Sequence, residues 1–366
     1  MLENGKIGVR QLTILVILIS IGDAILVLPS IPAIEAKQDA WISVVIGLAI
    51  GLPIVYLLTI VGKLYPGLTV VEYNEKILGT WLGKAISLFF LSYLFFSAAA
   101  HLRESSDFMI TNIMPETPIM AINILFLGII VMGARLGLET LTRTAEILFP
   151  WFILLLLMFI LFLIPQADIK NMLPVLGEGI KPVIRGSIAS AAFPFAELVV
   201  FLMVFPYVNQ TNRIRRSFLL GALLGGIVLI AIVALSILVL GADLVARNIY
   251  PSFFMAKKIS IGNFLERVEA ILAIIWFISI YFKITLYYYA FNLGLAQTLK
   301  LREYRFLTLP SGMILLLLSL MVAPNITYYN EVISKYWPNL DFTYSILLPL
   351  LLLGVYALRK KFKRNM

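Results

Sequence analysis

Long apolar segments, separated by short polar ones, are the dominant pattern of this chain. Many of these segments reach about 20 residues, the length that an α-helix needs to cross the hydrocarbon core of a bilayer. The period-two alternation that marks membrane β-strands does not occur in them. The pattern therefore predicts an all-α polytopic membrane protein, with residues 1–366 forming one transmembrane domain. Ten transmembrane helices are predicted, at residues 10–36, 39–63, 84–113, 118–132, 138–164, 183–208, 213–240, 264–299, 306–322 and 342–358.

Composition supports this class and sets the orientation. Hydrophobic residues make up 61% of the chain and charged residues only 13%. With the N-terminus inside, the inner connections hold about twice as many Lys and Arg residues as the outer ones, as the positive-inside rule requires. Both termini are therefore predicted to be cytoplasmic. The net charge of +9 reflects this topology and contact with the lipid bilayer, not binding of nucleic acid.

Two of the predicted spans contain features that interrupt a helix. The first span carries Gly22 and Asp23 near its middle, and the sixth carries Pro194 and Glu197. A proline removes a backbone hydrogen bond, and a carboxylate at membrane depth is tolerated only where it faces protein or water. We predict that both helices are discontinuous; the alternative for the sixth is a proline kink with a paired glutamate.

The spacing of these two spans predicts an internal repeat. They are five spans apart, so the second set of five would cross the membrane upside down relative to the first. Transporters built from such 5+5 inverted repeats hold their solutes near midplane, between two discontinuous helices. We therefore expect helices one and six to form a solute site.

Several motifs resemble a known family. Residues 21–29 resemble the first-helix motif of the amino acid–polyamine–organocation superfamily, and residues 193–197 resemble its sixth-helix break. Residues 174–179, together with Glu266-Arg267-x-Glu269 leading into Trp276, resemble the spore germination permease family. Members of this family are the B subunits of the nutrient germinant receptors of endospore-forming bacteria. The resemblance covers essentially the whole chain.

This resemblance implies a nutrient-sensing subunit in the inner membrane of the spore. Its partners would be the A and C subunits of the receptor and a small-molecule nutrient, often an amino acid, whose binding triggers germination. The alternative is a proton-coupled amino acid permease that acts alone. Neither interpretation calls for a cofactor, and the sequence shows no nucleophile–base pair, phosphate loop or metal cluster that would indicate an enzyme.

A broken helix offers groups that suit a zwitterion. The N–H groups at a half-helix N-terminus attract a carboxylate, so residues 24–26 are the predicted cradle for one. Carbonyl groups near Ile21 and Ala192, or the carboxylate of Asp23, could accept an ammonium group. The predicted ligand-binding residues are Ile21, Gly22, Asp23, Ala24, Ile25, Ser97, Phe193, Pro194, Phe195, Glu197, Phe282 and Lys283.

Lys283 and His101 leave alternatives open. An unpaired lysine at membrane depth is costly, which predicts an ion pair of Lys283 with Glu197 or with Asp23. That pair could act as a proton-linked gate or be purely structural, and Asp23 could instead contact the solute. His101, the one histidine, is expected to line an external vestibule with Arg103, Glu104 and Asp107. Without a second histidine or a cysteine, it predicts no metal site.

Overall fold

The computed structural model describes residue 3, residues 5–258 and residues 268–364. Almost all of this part of the chain is helical. The α-helices are α1 (Val9–Ile21), α2 (Ala24–Val27), α3 (Ser30–Ala36), α4 (Ala40–Gly62), α5 (Val70–Leu78), α6 (Thr80–Asn112), α7 (Ile119–Leu136), α8 (Leu138–Leu163), α9 (Ile180–Phe195), α10 (Ile214–Leu240), α11 (Ala242–Arg247), α12 (Pro251–Lys257), α13 (Glu269–Thr298), α14 (Thr308–Met321), α15 (Ile326–Phe342) and α16 (Leu348–Arg364).

The helices account for the predicted membrane spans. Within the described ranges, nine helical stretches are long and apolar enough to cross a membrane, and α14 is a shorter apolar helix of 14 residues. The multi-pass all-α class is thereby confirmed. The count of ten spans and the inverted repeat stay predictions.

The tenth span has the predicted boundary that differs most from the structure. The helix of the tenth span begins at Ile326 rather than at residue 342, and it continues through a π-helical turn at Thr343–Leu347 into α16. Its first part carries Asp341 and other polar residues, which lowered the apparent hydropathy although Asp341 is fully buried. The eighth span is helical from Glu269, and residues 264–267 of its predicted start, including Glu266 and Arg267 of the family motif, lie outside the described residues.

Close contacts at glycines pack α4 against the sixth span. A Cβ atom on Gly47 would lie 2.7 Å from the Cβ of Ser190, and one on Gly51 would lie 2.3 Å from the ring of Phe195. Small residues permit such close approach of helices inside a membrane, where dispersion contacts hold the helices together. This packing fixes the position of the sixth span relative to the core.

Candidate functional site

The first helix is interrupted at Gly22, as predicted. Helix α1 ends at Ile21, and Gly22 has a positive φ of 25°, a conformation that favours glycine. The hydroxyl of Ser279 on α13 donates to the Gly22 carbonyl at 3.2 Å, so the freed carbonyl is satisfied by a neighbouring helix. The interruption brings Asp23, the next residue, against α13.

The sixth span changes its helical type after Phe195. Helix α9 passes through Pro194, and residues Ala196–Met203 then form a 3-10 helix. Proline has no N–H to donate to the preceding turn, so the change of winding directly after it has a local cause. The carbonyl of Ala192, a predicted acceptor for a solute ammonium, already accepts the Ala196 N–H. The sixth span therefore continues as a helix with a different winding, and Glu197 is paired with Lys283, which agrees with the alternative of a proline-disturbed helix with a paired glutamate.

Three charged side chains meet between the interruption of the first span and the 3-10 segment of the sixth span. The ammonium of Lys283 donates to the carboxylates of both Asp23 and Glu197, so the two predicted pairs form at once. All three side chains are about 1% exposed. The second oxygen of Asp23 has no hydrogen-bond partner among the described residues. We call these three residues the charge cluster.

Two further side chains hold Glu197 in place. The indole N–H of Trp337 donates to Glu197 Oε1 at 3.2 Å, and the hydroxyl of Tyr287 donates to the Glu197 carbonyl at 2.7 Å. Trp337 comes from α15, part of the helix whose start the sequence missed. A buried ion pair is favourable only if hydrogen bonds satisfy the remaining polar atoms, and these two donors meet part of that need.

His101 lies beside the charge cluster rather than in an open vestibule. Its Nε2 is 3.9 Å from Glu197 Oε1 and its Nδ1 is 4.0 Å from Glu104 Oε2, while its side chain is only 2% exposed. Ligand atoms of Asp23, His101 and Glu197 lie within 4.8 Å of one another, a spacing that a metal ion would fit. The Lys283 ammonium, however, already lies between the two carboxylates and supplies the positive charge that an ion would bring.

A cavity of about 240 Å³ is lined by residues of α3, α11 and α15, together with Glu104 of α6 and Phe193 of α9. We call it the vestibule. Glu104 lines it although the residue is 2% exposed, and Glu104 Oε1 has no hydrogen-bond partner in the part of the chain that the structure describes. The lining includes Val27, Ile31, Glu104, Phe193, Arg247 and Tyr329.

Among the residues predicted from the broken helices, some gather at the site. Ile21, Ala24 and Ile25 are fully buried around the interruption in the first span. In the predicted carboxylate cradle, the Leu26 N–H is already bonded to the Asp23 carbonyl at 3.0 Å. Phe193 lines the vestibule, and its ring centroid is 5.8 Å from the Lys283 ammonium.

Other predicted residues turn elsewhere. The hydroxyl of Ser97 donates to the Tyr93 carbonyl within α6. The ring of Phe195 packs against Gly51 and Gly226 of neighbouring spans, away from Lys283. Phe282 is fully buried and packs edge-on against Tyr281, with 5.1 Å between ring centroids. These side chains contact other parts of the protein, which does not favour their predicted contact with a solute. That contact stays a prediction.

The site also contains residues that the sequence did not single out. Glu104 was assigned to the vestibule but not to the solute site, and Trp337 was not assigned at all. The usable signal for Trp337 was the run Trp337-Pro338-Asn339-Leu340-Asp341, a tryptophan and an acid directly before an apolar segment. An acidic residue inside a membrane span usually faces a functional site, so this run indicates a polar position within the tenth span.

Two solved structures share this fold. One is MHP1, a nucleobase-cation-symport-1 family transporter in a closed conformation with bromovinylhydantoin bound. Its comparison with this chain gives a TM-score of 0.73 at 12% sequence identity, and it covers 95% of this chain and 77% of MHP1. Another is MhsT in complex with L-phenylalanine, with a TM-score of 0.65 at 14% identity, over 97% of this chain and 99% of that one. At these identities the likeness shows the fold.

Sequence relatives are spore germination proteins. Spore germination protein KB of Bacillus subtilis (strain 168) is 31% identical over 364 residues, which are 98% of this chain and 97% of that protein. Spore germination protein A2 of the same organism is 26% identical over 93% of each chain. The family model described as "Spore germination protein" matches residues 6–327. The chain therefore belongs to the spore germination protein family, and it has the fold of a solute transporter.

Proposed function

We propose that this chain is the nutrient-sensing B subunit of a spore germinant receptor and that it binds a small solute between its interrupted helices. The observation that carries the proposal is the vestibule, which reaches Glu104 and Phe193 beside the charge cluster. Family membership and the transporter fold support a receptor subunit or a permease. The inner spore membrane, the cytoplasmic termini and the A and C partner subunits belong to this proposal.

The chemistry around the vestibule favours a solute with an amino group. Glu104 Oε1 and the second oxygen of Asp23 are buried acceptors without a hydrogen-bond partner among the described residues. A buried acceptor that lacks a donor is costly, and an ammonium group would supply one. The amides of Ala24 and Ile25 start the short helix after the break and could receive a carboxylate. An amino acid carries both groups, so it is the nutrient class that we expect.

A germination assay tests the proposal. Spores that carry this chain in their one nutrient receptor would be screened against single amino acids and sugars. Glu104→Gln keeps the shape but weakens a charge-assisted hydrogen bond by about 1.5–3 kcal/mol, so about tenfold or more nutrient should be needed for the same response. Glu116→Gln, at an exposed loop position, is the matched control and should leave the dose–response curve unchanged.

Two results would count against this function. An unchanged curve for Glu104→Gln, in spores that contain normal amounts of the protein, would remove Glu104 from the solute path. Uptake of the active nutrient into proteoliposomes that contain this chain alone would favour the alternative, a self-sufficient proton-coupled permease. The transporter fold makes this second measurement necessary, because one fold can either carry a solute across or only change shape around it.

A further inference from the structure

A second buried acid lies outside the charge cluster and has no role in the proposal above. Asp341 is in the last turn of α15 and is fully buried. One of its oxygens, Oδ1, accepts the hydroxyl of Tyr93 at 2.8 Å. The other, Oδ2, has no hydrogen-bond partner within the described ranges, and neither does the buried hydroxyl of Ser345, one turn later.

The surroundings of Asp341 do not provide a counter-charge for an ionised carboxylate. The charged and titratable groups that act on it are Tyr93 from α6, Tyr287 and Lys283 from α13, Glu197 from the 3-10 helix and Asp23 from the first span. The ammonium of Lys283 is already bonded to Asp23 and Glu197. Asp341 therefore has a neutral hydroxyl donor but, among described residues, no cation of its own.

We propose that Asp341 is a proton-binding site, in which the folded protein holds an exchangeable proton on Oδ2. A buried, unpaired carboxylate costs several kcal/mol, whereas the protonated acid is neutral and has an O–H to donate. The hydrogen bond from Tyr93 to Oδ1 fits this assignment, because it leaves Oδ2 as the oxygen that carries the proton. The ligand of this site is the proton itself, whichever solute the vestibule takes.

The helix around Asp341 connects this site to the charge cluster. Trp337 is four residues before Asp341, on the same helix face, and donates to Glu197. The π-helical turn Thr343–Leu347 begins two residues after Asp341, and π turns inside helices are frequent at functional sites. Loss of the proton would create an unpaired buried charge that favours a different packing of this helix. The same movement would alter the bond from Trp337 to Glu197, so the proton and the solute site are energetically linked.

Infrared spectroscopy of the purified full-length chain in lipid nanodiscs tests the site directly. A protonated carboxyl group has a carbonyl stretch that a carboxylate lacks, and this band shifts when H2O is replaced by D2O. At neutral pH, Asp341→Asn should remove one carboxyl equivalent of the band. Asp107→Asn is the matched control: Asp107 is also a buried aspartate, but it is ion-paired with Arg103 at 2.8 Å and should contribute nothing to the band.

One additional variant keeps the test informative if Asp341→Asn does not fold. Tyr93→Phe removes the hydrogen bond to Oδ1 and should raise the frequency of the Asp341 band without removing it. A residue with only a packing role would not show this shift.

Three outcomes would overturn the proposal. The first is a band of unchanged intensity in a folded Asp341→Asn protein, since Asp341 would then be ionised. The second is a band that disappears when NaCl or KCl is added, because the site would then bind an alkali cation in place of a proton. The third is a Tyr93→Phe spectrum identical to the wild type.

Discussion

The charge cluster makes a quantitative prediction about Lys283. In Lys283→Met, the side chain keeps most of its length and its apolar stem, so the change mainly removes the ammonium. The carboxylates of Asp23 and Glu197, each about 1% exposed, then lose the cation that they share. Breaking a buried ion pair by removing one partner costs about 3–5 kcal/mol. Because native proteins are stabilised by about 5–15 kcal/mol in total, this variant should lose a large part of its free energy of unfolding.

A double variant separates electrostatics from packing. Lys283→Met/Asp23→Asn removes one positive and one negative charge, and Glu197 keeps its hydrogen bond from Trp337. It should be more stable than Lys283→Met alone, with a coupling energy of about 0.5–3 kcal/mol between the two positions. Lys170→Met, at an exposed position, is the control and should stay within about 0.5 kcal/mol of the wild type.

The assay is reversible denaturation of the purified chain in mixed micelles, followed by tryptophan fluorescence. The reasoning is refuted if Lys283→Met unfolds within about 0.5 kcal/mol of the wild type, the range of an ordinary surface substitution. It is equally refuted if the double variant is no more stable than the single one. Either result would mean that the two carboxylates do not depend on the ammonium.

The other predictions concern helix packing and the N-terminal segment. Gly51→Leu should sharply reduce thermal stability in detergent, because the new Cβ would lie 2.3 Å from the ring of Phe195. Gly128→Leu, where a Cβ would meet open space, is the control and should have little effect. Equal losses of stability in the two variants would contradict the close contact at Gly51. The hydroxyls of Tyr304 and Tyr289 each donate to the buried carboxylate of Glu3 at 3.2 Å. Tyr304→Phe removes one of these hydrogen bonds, so it should lower the free energy of unfolding by about 1 kcal/mol and speed proteolysis of the N-terminal segment. An unchanged cleavage rate would show that this bond does not hold the segment.

Sequence reasoning located the interruptions because their causes are local. A glycine and a carboxylate in the first span, and a proline and a glutamate in the sixth, disturb a helix wherever it packs. The structure interrupts the first span at Gly22, whereas the sixth span continues and changes from α-helix to 3-10 helix after Phe195. Helix geometry could also have removed one candidate: Phe193 and Phe195 are two residues apart and so point to opposite faces. Only Phe193 lines the vestibule.

The start of the tenth span was missed because a hydropathy window averages over all faces of a helix. Trp337 and Asp341 lower the mean hydropathy of such a window, yet both face the protein and are buried. A window that scores transfer into lipid cannot recognise a polar residue whose environment is another helix.

The sequence by itself determined the multi-pass all-α class of the protein, its family resemblance and the two positions at which a regular helix is disturbed. Each of these depends on neighbouring residues or on apolar length, which a linear chain displays. Only the tertiary structure decided that one ammonium serves both Asp23 and Glu197, and that Trp337 donates to Glu197. These contacts join residues up to 260 positions apart. Their partners are chosen by how the helices pack, since a buried charge is stable only beside the groups that compensate it.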